Sequence, residues 1–104
     1  MGDDITIAFW AKGSGNNGIN TSILEAIDTN NTRVINIHMP WSNNNLYWDC
    51  GEGVGYDRIY SSMTASEIDN DWHHWAFVKD QSSGEMKIFK DGSLWSVSYT
   101  HLTL

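Results

Sequence analysis

Short segments in which apolar and polar residues alternate recur along the chain, separated by turn-forming residues. The first alternates cleanly at its start and then carries apolar groups on both faces. The segments cover residues 5–12, 22–27, 33–39, 45–50, 56–60, 72–79, 86–90 and 94–99. Because successive side chains of a strand point to opposite faces, this period predicts eight β-strands. Strands at this spacing, without a long helical period, predict an all-β sandwich or barrel.

Two parts of this pattern leave an alternative open. Residues 22–27 include three good helix formers in a row, so a short helix competes with the strand there. The connection at residues 62–71 has room for one helical turn, because Thr64 and Glu67 have the spacing of a capping box.

Two further features refine the predicted fold. Asp91-Gly92 is the strongest hairpin signal in the chain. The segment 72–79 is apolar on both faces, which predicts a strand in the middle of a sheet. The large apolar side chains expected to fill the core include Phe9, Trp72, Phe77 and Ile88.

Composition agrees with this fold and restricts the possible partners. The 104 residues include 6 Trp, 4 Tyr, 3 Phe and 9 Gly, and aromatic residues favour sheets while Gly favours turns. The formal net charge is -7, which repels phosphate backbones and anionic lipid surfaces, so we expect no nucleic-acid partner. We expect no membrane insertion, because no segment is both long enough and apolar enough to cross a bilayer. Cys50 is the single cysteine, so no internal disulfide can form.

Three segments resemble laminin-G-like domains, a group of concanavalin A-like jelly rolls. Residues 5–12 are similar to the first core strand of that family, and residues 72–80 resemble its Trp-His-His-hydrophobic-Ala strand. Residues 86–95 resemble the strand and Asp-Gly hairpin that follow. The three segments occur in the family's order and span most of the chain. The resemblance implies an antiparallel β-sandwich of jelly-roll type, and the family includes ligand-binding modules.

The resemblance also predicts a single domain over residues 1–104 that is incomplete. Members of the family have an extra strand before the position of Ile5 and a closing hairpin after that of Tyr99. Residues 98–104 depart from the family pattern and resemble translated adapter read-through at the end of a metagenomic fragment; an extension of the eighth strand is the alternative. Residues 38–59 resemble a subgroup found in bacterial surface proteins and phage structural proteins. We therefore expect the chain to be part of a larger extracellular, cell-surface or virion protein.

The spacing of reactive groups predicts no catalytic residues and no enzyme activity. Related glycosidases carry carboxylates as Glu-x-Asp-x-x-Glu on one strand, a pattern that this sequence lacks. His73 and His74 are adjacent and point to opposite faces of a strand, so a structural role is expected for them rather than metal binding. Loop oxygens suit calcium, although the same residues commonly form turns. These candidate calcium ligands are Asp28, Asn30, Asp69 and Asp71. No other cofactor is expected.

Aromatic and amide side chains around residues 41–48 predict a ligand site. A sugar ring packs on an aromatic face while Asn, Asp or Arg side chains bond its hydroxyl groups. By alternation, one of Tyr47 and Trp48 must face outward. The candidate ligand-binding residues are Trp41, Asn43, Asn45, Tyr47, Trp48, Asp57 and Arg58. The predicted function is binding of a glycan or another ligand. The alternative is a structural or protein–protein interaction module, such as an adhesin or tail-fibre spacer, without sugar affinity.

Overall fold

All eight predicted strands form. The computed structural model describes residues 4–13, 22–31, 33–51, 57–64, 66–67, 71–80 and 83–99. The strands are β1 (Asp4–Lys12), β2 (Ser22–Ile27), β3 (Arg33–His38), β4 (Asn45–Cys50), β5 (Asp57–Ser62), β6 (Trp72–Asp80), β7 (Glu85–Lys90) and β8 (Ser93–Tyr99). The helical alternative for residues 22–27 is therefore wrong.

In the connection between β5 and β6, residues 66–67 form a turn, while residues 65 and 68–70 of the alternative helical turn lie outside the described residues. The Thr64 amide donates to the Glu67 carboxylate at 2.8 Å, and the Glu67 amide donates to the Thr64 carbonyl at 3.0 Å. This part of the predicted capping contact forms, but none of the residues described here is helical. Across the same residues, no helix has the length and apolarity needed to cross a bilayer.

The strands are arranged in two antiparallel sheets that pack face to face. The back sheet has the order β1-β6-β7-β8, and the front sheet has the order β2-β3-β4-β5. The chain begins in the back sheet, builds the front sheet as a meander, and returns to complete the back sheet. Strand β6 lies between β1 and β7, as its two apolar faces predicted. On one side of the sandwich, the edge strands β5 and β8 contact each other.

The core lies between the two sheets, where alternate side chains of each strand point inward. Phe77 and Ile88 are fully buried there, as predicted, and Phe9 stacks on Phe77 with ring centroids 5.6 Å apart. The prediction for Trp72 is wrong, because its side chain is 62% exposed. The alternation that turns Trp75 and Phe77 inward places Trp72 on the outer face of the back sheet.

Two polar contacts tie the sheets together through the core. The Lys79 ammonium of the back sheet lies 2.7 Å from the Asp57 carboxylate of the front sheet, and both side chains are buried. The indole nitrogen of Trp48 donates to the carbonyl of Val78 across the same interior at 3.3 Å. These contacts compensate polar groups that would otherwise be costly to bury.

The predicted hairpin between β7 and β8 turns at Asp91-Gly92. Both residues have positive φ, at 50° and 83°, as a tight two-residue hairpin turn requires. The Asp91 carboxylate also accepts from the His74 amide at 2.8 Å and contacts the His73 ring nitrogen at 2.9 Å. The His74 ring packs edge-on against Trp10. The adjacent histidines thus have the structural contacts expected from the sequence.

Candidate functional site

The outer face of the front sheet carries aligned rows of polar and aromatic side chains. They alternate with the core residues of the same strands, so they point away from the interior. One row, called the aromatic row, consists of His38, Tyr47 and Tyr60, which are cross-strand partners on β3, β4 and β5. The neighbouring polar row consists of Glu25, Asn36, Asp49 and Arg58, which pair across all four strands.

The aromatic row crosses three strands as a series of ring contacts. The centroids of His38 and Tyr47 are 6.0 Å apart, and those of Tyr47 and Tyr60 are 5.4 Å apart. Trp41, in the loop after β3, covers the outer side of the row by packing on His38 at 4.3 Å. Tyr60 ends the row on the edge strand β5, where its side chain is 59% exposed. The row therefore offers aromatic surface to a ligand, most of it at Tyr60.

Arg58 connects the two rows. Its Nε and Nη2 atoms donate to the two carboxylate oxygens of Asp49 at 2.6 and 2.8 Å. The guanidinium carbon also lies 4.6 Å from the centroid of the Tyr47 ring, within the range of a cation–π contact. This two-point pairing orients the planar guanidinium and balances the charge of a carboxylate that is buried against the sheet.

A closed set of hydrogen bonds fixes the floor of the site. The hydroxyl of Ser22 donates to Oδ1 of Asn36 at 2.9 Å and lies 3.3 Å from Nδ1 of His38. The Asn36 amide nitrogen lies 2.5 Å from Nε2 of the same imidazole. Asn36 is fully buried although it is on an outward face. The bonds among these three side chains compensate its burial and restrict the orientation of the His38 ring.

The hydroxyl of Tyr47 is held by two amides. Asn43 donates to the phenol oxygen at 2.6 Å, and Asn45 donates to it at 3.5 Å. Asn43 is itself oriented because its Oδ1 accepts from the Asn45 backbone amide at 3.0 Å. These hydrogen bonds, first from Asn43 and then from Asn45, lower the pKa of Tyr47 below its ordinary value. Because the oxygen accepts from both amides, the phenol proton can be donated to a ligand.

The comparison with known families decides which fold this is. The model of the concanavalin A-like lectin/glucanases superfamily matches residues 1–102. The chain belongs to this superfamily. The predicted jelly-roll β-sandwich of concanavalin A-like type is thereby confirmed, together with the resemblance on which it was based. No curated protein and no solved structure matches the chain significantly.

Within this concanavalin A-like domain, five of the seven candidate ligand residues lie together on the outer face of the front sheet or in the loop beside it. They are Trp41, Asn43, Asn45, Tyr47 and Arg58. The other two candidates do not lie on this face. Trp48 is fully buried on the inner face, since Tyr47 takes the outward position of that pair. Asp57 is buried in the core beside Lys79.

Five residues of the two rows were not among the candidates predicted from the sequence: Glu25, Asn36, His38, Asp49 and Tyr60. A signal for Tyr60 was present, because alternation along β5 places it on the same face as Arg58. Asn36 and His38 alternate with the isoleucines of β3, which marks them as outward-facing. Their proximity to Tyr47 depends on strand register, which the pattern of one strand does not contain.

The candidate calcium ligands show turn contacts where they are described. The Asn30 amide donates to the Asp28 carboxylate at 2.8 Å, and the Asn31 amide donates to the Asp28 carbonyl at 3.0 Å. Asp71 is exposed just before β6, and Asp69 lies outside the described residues. Among the residues that are described, no three His, Cys, Asp or Glu side chains form a group able to hold a metal ion. Calcium binding therefore stays a prediction.

Proposed function

We propose that this concanavalin A-like domain binds a carbohydrate on the outer face of its front sheet. The observation that carries the proposal is the aromatic row, which ends in the exposed ring of Tyr60. Sugar rings present C–H groups that pack on aromatic faces, as the apolar surfaces of ligand sites generally do. The superfamily includes lectins, which supports binding as the general activity.

The polar groups beside the row are suited to sugar hydroxyls. Tyr47 can donate its phenol proton, and the exposed Asn43 carries both a donor and an acceptor. Both groups are held in place by hydrogen bonds before any ligand arrives, which lowers the entropic cost of binding. The charge of Arg58 is balanced by Asp49. A neutral glycan fits this balance better than a strongly charged one.

We propose that the domain acts by binding alone. Asp49, a carboxylate in the floor of the site, has both oxygens engaged by Arg58, so it is poorly placed to act as a base or nucleophile. The domain would then be an accessory module of a larger surface, secreted or phage structural protein. The resemblance of residues 38–59 to such proteins supports this setting.

A glycan array tests the proposal with one variant in the row and one matched control. Tyr60→Ala removes the most exposed ring of the row, and Trp10→Ala removes an equally exposed ring on the opposite sheet. We expect Tyr60→Ala to weaken binding of the best glycan by about 10-fold or more, which is about 1.4 kcal/mol. Trp10→Ala should leave that affinity unchanged. Thermal unfolding of both variants checks that each is folded.

The proposal fails if the wild-type domain binds no glycan, with or without calcium, or if both variants bind as the wild type does. Trp48→Ala is unsuitable as a test, since it removes a core side chain.

A protein-interaction module is the second candidate, and one observation favours it. Among the side chains that the structure describes, four large apolar ones are exposed on the outer face of the back sheet: Trp10, Trp72, Leu94 and Val97. Exposed apolar patches on soluble domains commonly mark interaction sites. This candidate predicts no sugar affinity, so the array separates the two: a folded domain that binds no glycan supports it.

A further inference from the structure

A groove runs along the side of the sandwich where the two sheets meet edge to edge. It lies between β5, the last strand of the front sheet, and β8, the last described strand of the back sheet. Its volume is about 270 Å3, and its lining residues are Arg58, Ile59, Tyr60, Ser96, Val97 and Ser98. Small-molecule sites usually start at about 300 Å3, so the groove has room for part of a ligand.

The groove is continuous with the site on the front sheet. Tyr60 is both the exposed end of the aromatic row and a wall of the groove. Arg58 belongs to the polar row and lines the groove as well. A ligand that follows the aromatic row from β3 through β4 to β5 therefore reaches the groove at the sheet edge. The row and the groove form one continuous path across the edge of the front sheet.

The lining of the groove suits a sugar residue. Ser96 and Ser98 on β8 contribute hydroxyls, each able to donate and accept a hydrogen bond. The Val97 side chain points to the outer face of the back sheet, so the apolar surface of the groove comes from the exposed ring of Tyr60. Hydroxyl groups beside a small apolar surface match the mixed character of a pyranose ring.

We infer that the groove between β5 and β8 is a second subsite of the carbohydrate site, and that the ligand is a chain of several sugar residues. Part of the chain packs along the aromatic row, and the following residue enters the groove past Tyr60. A single terminal sugar would contact only the row. This inference depends on the proposed carbohydrate binding.

A chain-length series tests the inference. The probes are cello-, laminari-, xylo- and manno-oligosaccharides from disaccharide to hexasaccharide, with affinities measured by isothermal titration calorimetry. For the wild type, we expect affinity to rise by about 10-fold or more from disaccharide to hexasaccharide in the series that binds. Ser98→Trp fills the groove from an exposed position and should abolish this rise while leaving disaccharide affinity unchanged. Ser93→Trp, at the other end of β8, is the matched control and should retain the rise.

The possible results separate the groove subsite from the carbohydrate binding on which it depends. If the wild type binds none of these sugars or any array glycan, both are overturned. If it binds but shows no gain with length, or if Ser98→Trp keeps the full gain, only the groove subsite is overturned. The wild-type series depends on no variant, so a Ser98→Trp protein that failed to fold would still leave the inference open to refutation.

Discussion

Removing the charge of Asp57 is the perturbation that best tests how the sandwich is held together. The Asp57 carboxylate lies 2.7 Å from the Lys79 ammonium, with side-chain exposures of 10% and 4%. In Asp57→Asn, the shape of the side chain is kept but the carboxylate charge that faces the buried ammonium is removed. Breaking a buried ion pair from one side costs about 3–5 kcal/mol, because an uncompensated charge is left buried.

The size of this loss can be compared with the stability of the whole domain. A chain of 104 residues is expected to be stable by about 5–15 kcal/mol. A loss of about 4 kcal/mol, at a urea m-value of about 2 kcal/mol/M, moves the unfolding midpoint down by about 2 M. The double change Asp57→Leu with Lys79→Met should recover most of this stability, since apolar replacement of a buried pair is often neutral or stabilising.

Urea unfolding followed by far-ultraviolet circular dichroism measures the effect, and the half-buried pair of Glu85 and Lys87, which is more exposed than Asp57 and Lys79, supplies the control. Their side chains are 21% and 33% exposed at a separation of 2.8 Å. Glu85→Gln should therefore cost no more than about 1 kcal/mol. A midpoint for Asp57→Asn equal to that for Glu85→Gln would refute the reasoning. A double variant that is no more stable than Asp57→Asn would contradict it as well.

Three further predictions use the same unfolding assay or spectroscopy. Trp48→Ala should destabilise the domain by about 3–5 kcal/mol, because it empties a fully buried site; a loss below about 1 kcal/mol would contradict its core position. The His74 backbone amide, followed by the neighbouring imidazole, lowers the pKa of Asp91 below 3.8. The contribution of Asp91 to the free energy of unfolding is therefore complete above its unfolded pKa of about 3.8, and it is lost as the pH falls through the lower pKa of the folded state. In Asp91→Asn, the free energy of unfolding should therefore fall less steeply at acid pH. Asn43→Ala should raise the pKa of Tyr47 towards its ordinary value, measured by nuclear magnetic resonance of that ring; an unchanged titration would show that the amide contact is absent.

Local patterns were sufficient for the strands and their turns. Alternation within each segment is a property of neighbouring residues, so it located all eight strands to within a residue or two. The Asp91-Gly92 hairpin followed from the positive φ angles that these residues tolerate. The family resemblance of the first and sixth strands, together with the last hairpin, was confirmed by the match over residues 1–102.

Local patterns were insufficient where a residue type can lie either on the core face or on the outer face of a sheet. Strand β6 has large aromatic residues at both odd and even positions, so its sequence did not reveal that Trp72 faces outward while Trp75 is buried. Asp57 was predicted as a ligand residue because a carboxylate can accept hydrogen bonds from sugar hydroxyls. Its burial depends on Lys79, which is 22 residues away in the sequence and on the other sheet.

The sequence by itself determined that the chain forms short strands, where most of them begin and end, and that Tyr47 and Trp48 point to opposite faces. Only the tertiary structure decided which side chains share a surface. Hydrogen bonds between four strands fix the register that makes neighbours of Ser22, His38, Tyr47 and Tyr60. Register depends on the packing of both sheets over one core, because a shift of one residue would turn every buried side chain outward. No single segment contains that information.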